Sequence, residues 1–159
     1  MADNIQLTYA KLAYNTFCKA LDDLGWRYNR HDDEFKIFYG VNGDDIKMNF
    51  LAIIDVDRQL IRLISLLPFE VNEDKRVECA VAVTAINYLL ADGNFDCDVR
   101  DKHILFRLTA TFRESIIDAE LVKYLISISC NTVDRYNEKL AALNNGDITI
   151  GEFLDIINK

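Results

Sequence analysis

Four oxygen-bearing side chains, Asp92, Asn94, Asp96 and Asp98, fall at alternate positions, the spacing with which a helix–loop–helix calcium site opens on its ion. The rest of that loop is missing. Cys97 stands where the sharp-turn glycine belongs, and His103 occupies the twelfth position, which must supply a bidentate carboxylate. On a strand, alternate residues simply share one solvated face. His103 follows Asp101, and His31 stands beside Asp32 and Asp33. A histidine near a carboxylate can do general acid–base work, but it needs a cleft and a positioned substrate, which adjacency in sequence does not supply. A small enzyme or metal-dependent protein using the region of His103, Asp96 and Asp98 is therefore the rival reading.

Other chemistry has less support. Cys18, Cys79, Cys97 and Cys130 are widely spaced with no C-x-x-C pair, which points to buried, reduced thiols rather than a zinc or thioredoxin-type site. Gly40-Val41-Asn42-Gly43 joins two strands and does not open a helix, so it lacks the amide geometry that cradles phosphate. Glu73-Asp74-Lys75-Arg76 is a solvated first helical turn, and Trp26, near Tyr28, reads as a core or interface aromatic. No catalytic residue, metal ligand or cofactor is assigned.

The chain has 159 residues, half of them apolar, enough for one continuous core. Its net charge of −8 disfavours nucleic acid and anionic membrane surfaces, which are held through clustered Lys and Arg. The opening residues have no signal-peptide pattern and no apolar run is long enough to span a bilayer, so a cytoplasmic protein is expected.

The elements that must position these residues follow from periodicity. Apolar residues from Tyr9 to Leu24 recur at helical steps, and Gly25 ends that run. Phe35 to Val41, Ile46 to Val56 and Gln59 to Leu67 alternate as a three-stranded meander closed by Pro68. A second helix is expected from an Asn72 cap to about Ala91, with Val77, Ala80, Val81, Thr84, Ala85, Tyr88 and Leu89 on its apolar face and Gly93 as its stop. Two one-sided strands follow, around Phe95 and from Ile104 to Phe112. Asp118 caps a third helix with a stripe from Leu121 to Leu140, and Thr149 with Glu152 forms the capping box of a fourth. The order α-βββ-α-ββ-α(α) predicts a single α+β domain over residues 1–159, with helices on one face of an antiparallel sheet and a short C-terminal helical extension at about 147–159.

That order, with Asn87-Tyr88-Leu89-Leu90, then Gly93-Asn94-Phe95-Asp96, then Ile104-Leu105-Phe106-Arg107, resembles the bacterial YbjN family. The resemblance runs from the first helix to about Leu140. It implies a fold similar to the type III secretion chaperones and a protein-binding or sensory-regulatory role. Those chaperones are small acidic dimers that hold extended partner segments, and a homodimer with a protein or peptide client is the corresponding expectation here.

The strands give a separate hint. Leu51-Ala52-Ile53-Ile54 is apolar on both faces, as are Leu60-Ile61 and Leu63-Ile64, although a sheet covered on one side should alternate. The candidate protein-binding or dimer surface is Leu51, Ile53, Ile61 and Leu63. Three occupants remain open: a second copy, which is the first reading, a client segment, or a helix of the same chain lying across the face.

Overall fold

The computed structural model describes residues 2–159. Helix α1 (Ala2–Asp23) leads into a sheet of β1 (Tyr28–His31), β2 (Lys36–Asn42), β3 (Lys47–Asp55) and β4 (Leu60–Leu66). Helix α2 (Arg76–Leu89) crosses to β5 (Asn94–Cys97) and β6 (Ile104–Thr111), and α3 (Ala119–Asn145) and α4 (Ile150–Ile157) complete the chain. The six strands are antiparallel throughout, in the order β1-β2-β3-β4-β6-β5. The fold is the expected α+β class.

The sheet has one strand more than the alternation predicts. Tyr28-Asn29-Arg30-His31 carries no apolar period, and side-chain hydrogen bonds hold its flanks in place. The Tyr14 hydroxyl and Arg30 Nε both donate to Asp32 Oδ1, at 2.8 and 2.6 Å, and the Tyr28 hydroxyl donates to Asp22 at 2.9 Å. Phe35, at φ 51°, turns the chain from the short 3-10 turn Asp32–Glu34 into β2 and sets its ring edge-on to Tyr14.

One face of the sheet and the helices enclose the core. Ile37 and Tyr39, Phe50 to Ile54 at alternate positions, Ile61, Leu63, Phe95, Phe106 and Leu108 pack against Phe17, Leu21, Val122, Ile126, Val133, Tyr136 and Leu140. Asp118 caps α3 by accepting from the Leu121 amide at 2.8 Å, and Gly146, at φ 78°, ends it in the left-handed conformation. The Thr149–Glu152 capping box is formed at the start of α4. Asn72 does not cap a helix. Its backbone N–H and side-chain amide instead donate to Asn144 at 2.8 and 2.9 Å, tying the start of the α2 region to the end of α3.

The segment that carries the family resemblance is a clamp between α2 and the sheet. Asn87 Nδ2 donates to the Phe95 carbonyl and Asn87 Oδ1 accepts from the Phe95 amide, both at 2.8 Å. Gly93, at φ 72°, is not the helix stop; α2 ends at Leu89. It turns the chain into β5 over the ring of Phe106, where a Cβ would stand 2.5 Å from Cζ.

Candidate functional site

Register decides which face each strand residue takes. Leu51 is paired with Ile64 and Ile53 with Arg62, whereas Ala52 is paired with Leu63 and Ile54 with Ile61. Directly paired residues lie on one face. The four candidate interface residues therefore divide: Ile61 and Leu63, each 1% exposed, belong to the core, while Leu51 and Ile53 lie half-buried on the opposite face. Two-sided apolar runs carry no parity signal, which is why sequence alone joined the wrong neighbours.

The other apolar residues of this open face are Phe38 from β2, Leu60, Ile64 and Leu66 from β4, and Leu105 from β6. Phe38 is 40% and Leu66 50% exposed. His31 sets its ring edge-on to Phe38, at 5.2 Å between centroids. The helices pack on the other face, and α4 lies against α2 and α3, so the C-terminal segment does not cover this strip. Arg62 meets Asp55 at 3.3 Å and Arg107 meets Asp96 at 3.0 Å, so ion pairs interrupt the apolar surface. Beside Phe38, the absence of a side chain at Gly40 opens a cavity of about 380 Å³, lined by Arg27, Asn29, Phe38 and Asn49 over the backbone of Tyr28, Tyr39 and Phe50.

Sequence reasoning placed the apolar face of α2 on its wrong side. The side chains that enter the core are Cys79, Ala82, Val83 and Ile86. The set expected there points outward: Tyr88 is 90%, Val77 70% and Val81 46% exposed, and Thr84 and Leu89 are exposed beside them. A helix that is apolar around its whole circumference is normally buried on both sides. Val81, Thr84, Ala85, Tyr88 and Leu89, with Ile157 and Asn158 at the end of α4, line a shallow groove of about 530 Å³ on that outer face.

The rival region does not converge. Asp96 points onto the open face toward Arg107, and Asp98 is held by Arg100 at 2.7 Å, a hydrogen-bonded pairing that lowers its pKa to about 2. His103 stands half-buried at the far end of the β5–β6 hairpin, and neither cavity described above is lined by it. Among the described residues, no three His, Cys, Asp or Glu side chains are grouped to hold a metal ion. Cys18, Cys79 and Cys130 are buried and Cys97 half-buried, and burial pushes the Cys79 thiol up to about 11 and Cys130 to about 12. Trp26 is half-buried, tilted against Tyr39 at 6.1 Å. Among the described residues no helix is long and apolar enough to cross a membrane.

Known proteins share this architecture. The YbjN family, described as "Putative bacterial sensory transduction regulator", matches residues 14–142. No curated protein matches the chain. Among solved structures, the crystal structure of YbjN, "a putative transcription regulator from E. coli", superposes with a TM-score of 0.59 at 14% identity, covering 81% of this chain and 89% of that one. The HopA1–SchA chaperone–effector complex contains a chain that superposes with a TM-score of 0.58 at 16% identity, covering 81% of this chain and 95% of that one. At such identities the likeness is one of fold.

Proposed function

Because the chain belongs to the YbjN family, we propose that it is a chaperone-like or regulatory protein-binding module, non-enzymatic, that works as a dimer and holds a partner on the open face of its sheet. The observation that carries this reading is the apolar strip of Phe38, Leu51, Ile53, Ile64 and Leu66, on which no helix packs among the described residues. An extended segment laid on it would bury side chains each worth about 1.5–3 kcal/mol when fully removed from water. Such a segment is the partner that a flat sheet face fits best.

Self-association is better placed on α2 than on the sheet. The outer stripe of α2 is continuous and more exposed than the strip on the sheet, and it carries no charged residue between Val81 and Leu89. Small residues, Thr84 and Ala85, stand at its middle with Val77 and Tyr88 toward its ends. Two such helices crossing antiparallel would set Tyr88 of each against Val77 and Val81 of the other, the reciprocal pattern that a two-fold axis requires.

Affinity capture from the source organism, with wild-type protein and Ile53→Asp as parallel baits, tests the partner surface. Proteins retained by the wild type and lost from a folded Ile53→Asp variant support it. Identical capture by both baits removes the sheet face from the reading.

A further inference from the structure

The open sheet face differs in charge from the molecule that carries it. Its outward positions hold Lys36, Lys47, Arg62 and Arg107, and Arg27 precedes β1 at the same parity; the carboxylates at these positions are Asp55 and Asp96. Glu34 meets Lys36 from the neighbouring turn. A face with more cations than carboxylates thus sits on a chain of net charge −8, so the acidic surplus lies on the helices and loops.

Several of these cations have unmet capacity. Among the described residues Arg27 and Lys47 form no salt bridge, and Arg62 reaches Asp55 through Nη2 while its buried Nε has no acceptor there. Arg27 and Lys47 also flank the cavity at Gly40. Arg27 lines it with Asn29 and Asn49, no carboxylate does, and Lys47 Cε lies 3.5 Å from where a Cβ on Gly40 would stand. The cavity therefore combines two cations and two amides beside the exposed ring of Phe38.

We propose that this face selects an extended polypeptide segment that presents two or three apolar side chains and then an aspartate or glutamate along one side, with the acidic side chain seated at Gly40 between Arg27, Lys47, Asn29 and Asn49. The inference rests on the protein-binding reading and narrows its partner. In an extended chain alternate residues share a side and repeat about every 7 Å, so one segment running along β2 and β3 can lay apolar groups on Ile53 and then between Leu51 and Phe38, and reach Gly40 with the next residue of the same parity. Complementary charge makes the acidic segment the favoured occupant and opposes a second copy of the same face. Phosphate backbones would meet the same cations, but the acidic remainder of the molecule repels them.

The test uses three labelled twelve-residue peptides with leucine at three alternate positions and, two residues on, Glu, Gln or Lys, all other positions being Ser or Gly. Fluorescence anisotropy should show the Glu peptide binding about tenfold tighter than the Lys peptide, with Gln between and the gap narrowing as salt rises. R27E/K47E should reverse the order. Gly40→Val, which fills the cavity, should bring the three affinities together, and Ile53→Ser should weaken all three. Equal binding of the three peptides, or an order unchanged in R27E/K47E, overturns the inference. If that charge-blind binding is still lost in Ile53→Ser, the protein-binding reading survives without it; if no peptide binds, the sheet-face reading falls as well. Displacement of the Glu peptide by a twenty-nucleotide single-stranded DNA would overturn the assignment to an acidic polypeptide.

Discussion

Replacing Tyr88 with Asp should turn a dimer into a folded monomer. Tyr88 is 90% exposed and its hydroxyl makes no hydrogen bond among the described residues, so the protomer fold does not rest on it. An aromatic side chain can bury about 150–250 Å², which at about 25 cal/mol per Å² is roughly 4–6 kcal/mol at full burial. Imperfect packing and lost rotamer freedom reduce that to about 2–3 kcal/mol per copy. A two-fold axis brings two copies into one seam, so the dimer should lose about 4–6 kcal/mol, a weakening of roughly a thousandfold to twenty-thousandfold. Val77 and Tyr88 lie about 16 Å apart along the helix, so Val77→Asp should act in the same direction from the other end of the stripe. Light scattering after size exclusion, run from micromolar to hundred-micromolar protein, should give twice 18.3 kDa for the wild type and 18.3 kDa for Tyr88→Asp, with an unchanged circular dichroism spectrum. Ile53→Asp should remain a dimer. A wild type that is monomeric throughout refutes self-association, and a seam lost in Ile53→Asp but kept in Tyr88→Asp returns the second copy to the sheet face.

The other expectations concern the scaffold. Leu63→Asp buries a carboxylate in the core and should abolish cooperative unfolding, whereas Ile53→Asp, one position out of register with it and so on the opposite face, should retain the wild-type circular dichroism. Asn87→Ala removes both bonds to Phe95 and strands a backbone donor and acceptor, costing about 2–4 kcal/mol, which denaturant titration will read. In the native protein at pH 8 the buried thiols of Cys79 and Cys130, with pKa values pushed up to about 11 and 12, should react with a thiol reagent far more slowly than in denaturant. Glu138 on α3 lies beside Asp45 of the β2–β3 turn, and that neighbour raises its pKa above 4.5. The docked turn therefore binds a proton more readily than the free one, so its docking strengthens as pH falls through the raised pKa and weakens as pH rises. The protection of the Asp44 amide, which donates to Asp134 at 3.0 Å, measured as its exchange rate relative to the intrinsic rate at the same pH, should rise on acidification, and this rise should vanish in Glu138→Gln.

Where the sequence could be read and where it could not follows one physical rule. Strands β5 and β6 alternate, so their one-sidedness was legible, as were the caps at Asp118 and Thr149, because each is specified by neighbours in the chain. Strand β1 was not legible: its place depends on Asp22, Asp32 and Tyr14, contacts that leave no period in Tyr28-Asn29-Arg30-His31. Parity in β3 and β4, and the inward face of α2, failed for a shared reason. Each of these elements is apolar on both sides, and periodicity identifies a buried side only when the other side is polar.

That failure bears on function. A strand or helix that hides its orientation from sequence is one whose second face is also apolar, and a face that is apolar yet unburied in the protomer is where a partner gains most. The two surfaces differ in chemistry. The α2 stripe is uncharged from Val81 to Leu89 and reciprocal about its middle, which suits an identical copy. The sheet strip is edged by Lys36, Lys47, Arg62 and Arg107, so two copies placed face to face would oppose like charges, while an acidic segment would meet them with opposite ones. Both surfaces can be used at once, because α2 packs on the helical side and leaves the outer sheet face free. Dimerisation through the helix would then present two open sheet faces to one partner chain, and binding at the second would proceed at the effective concentration set by the segment between its two sites.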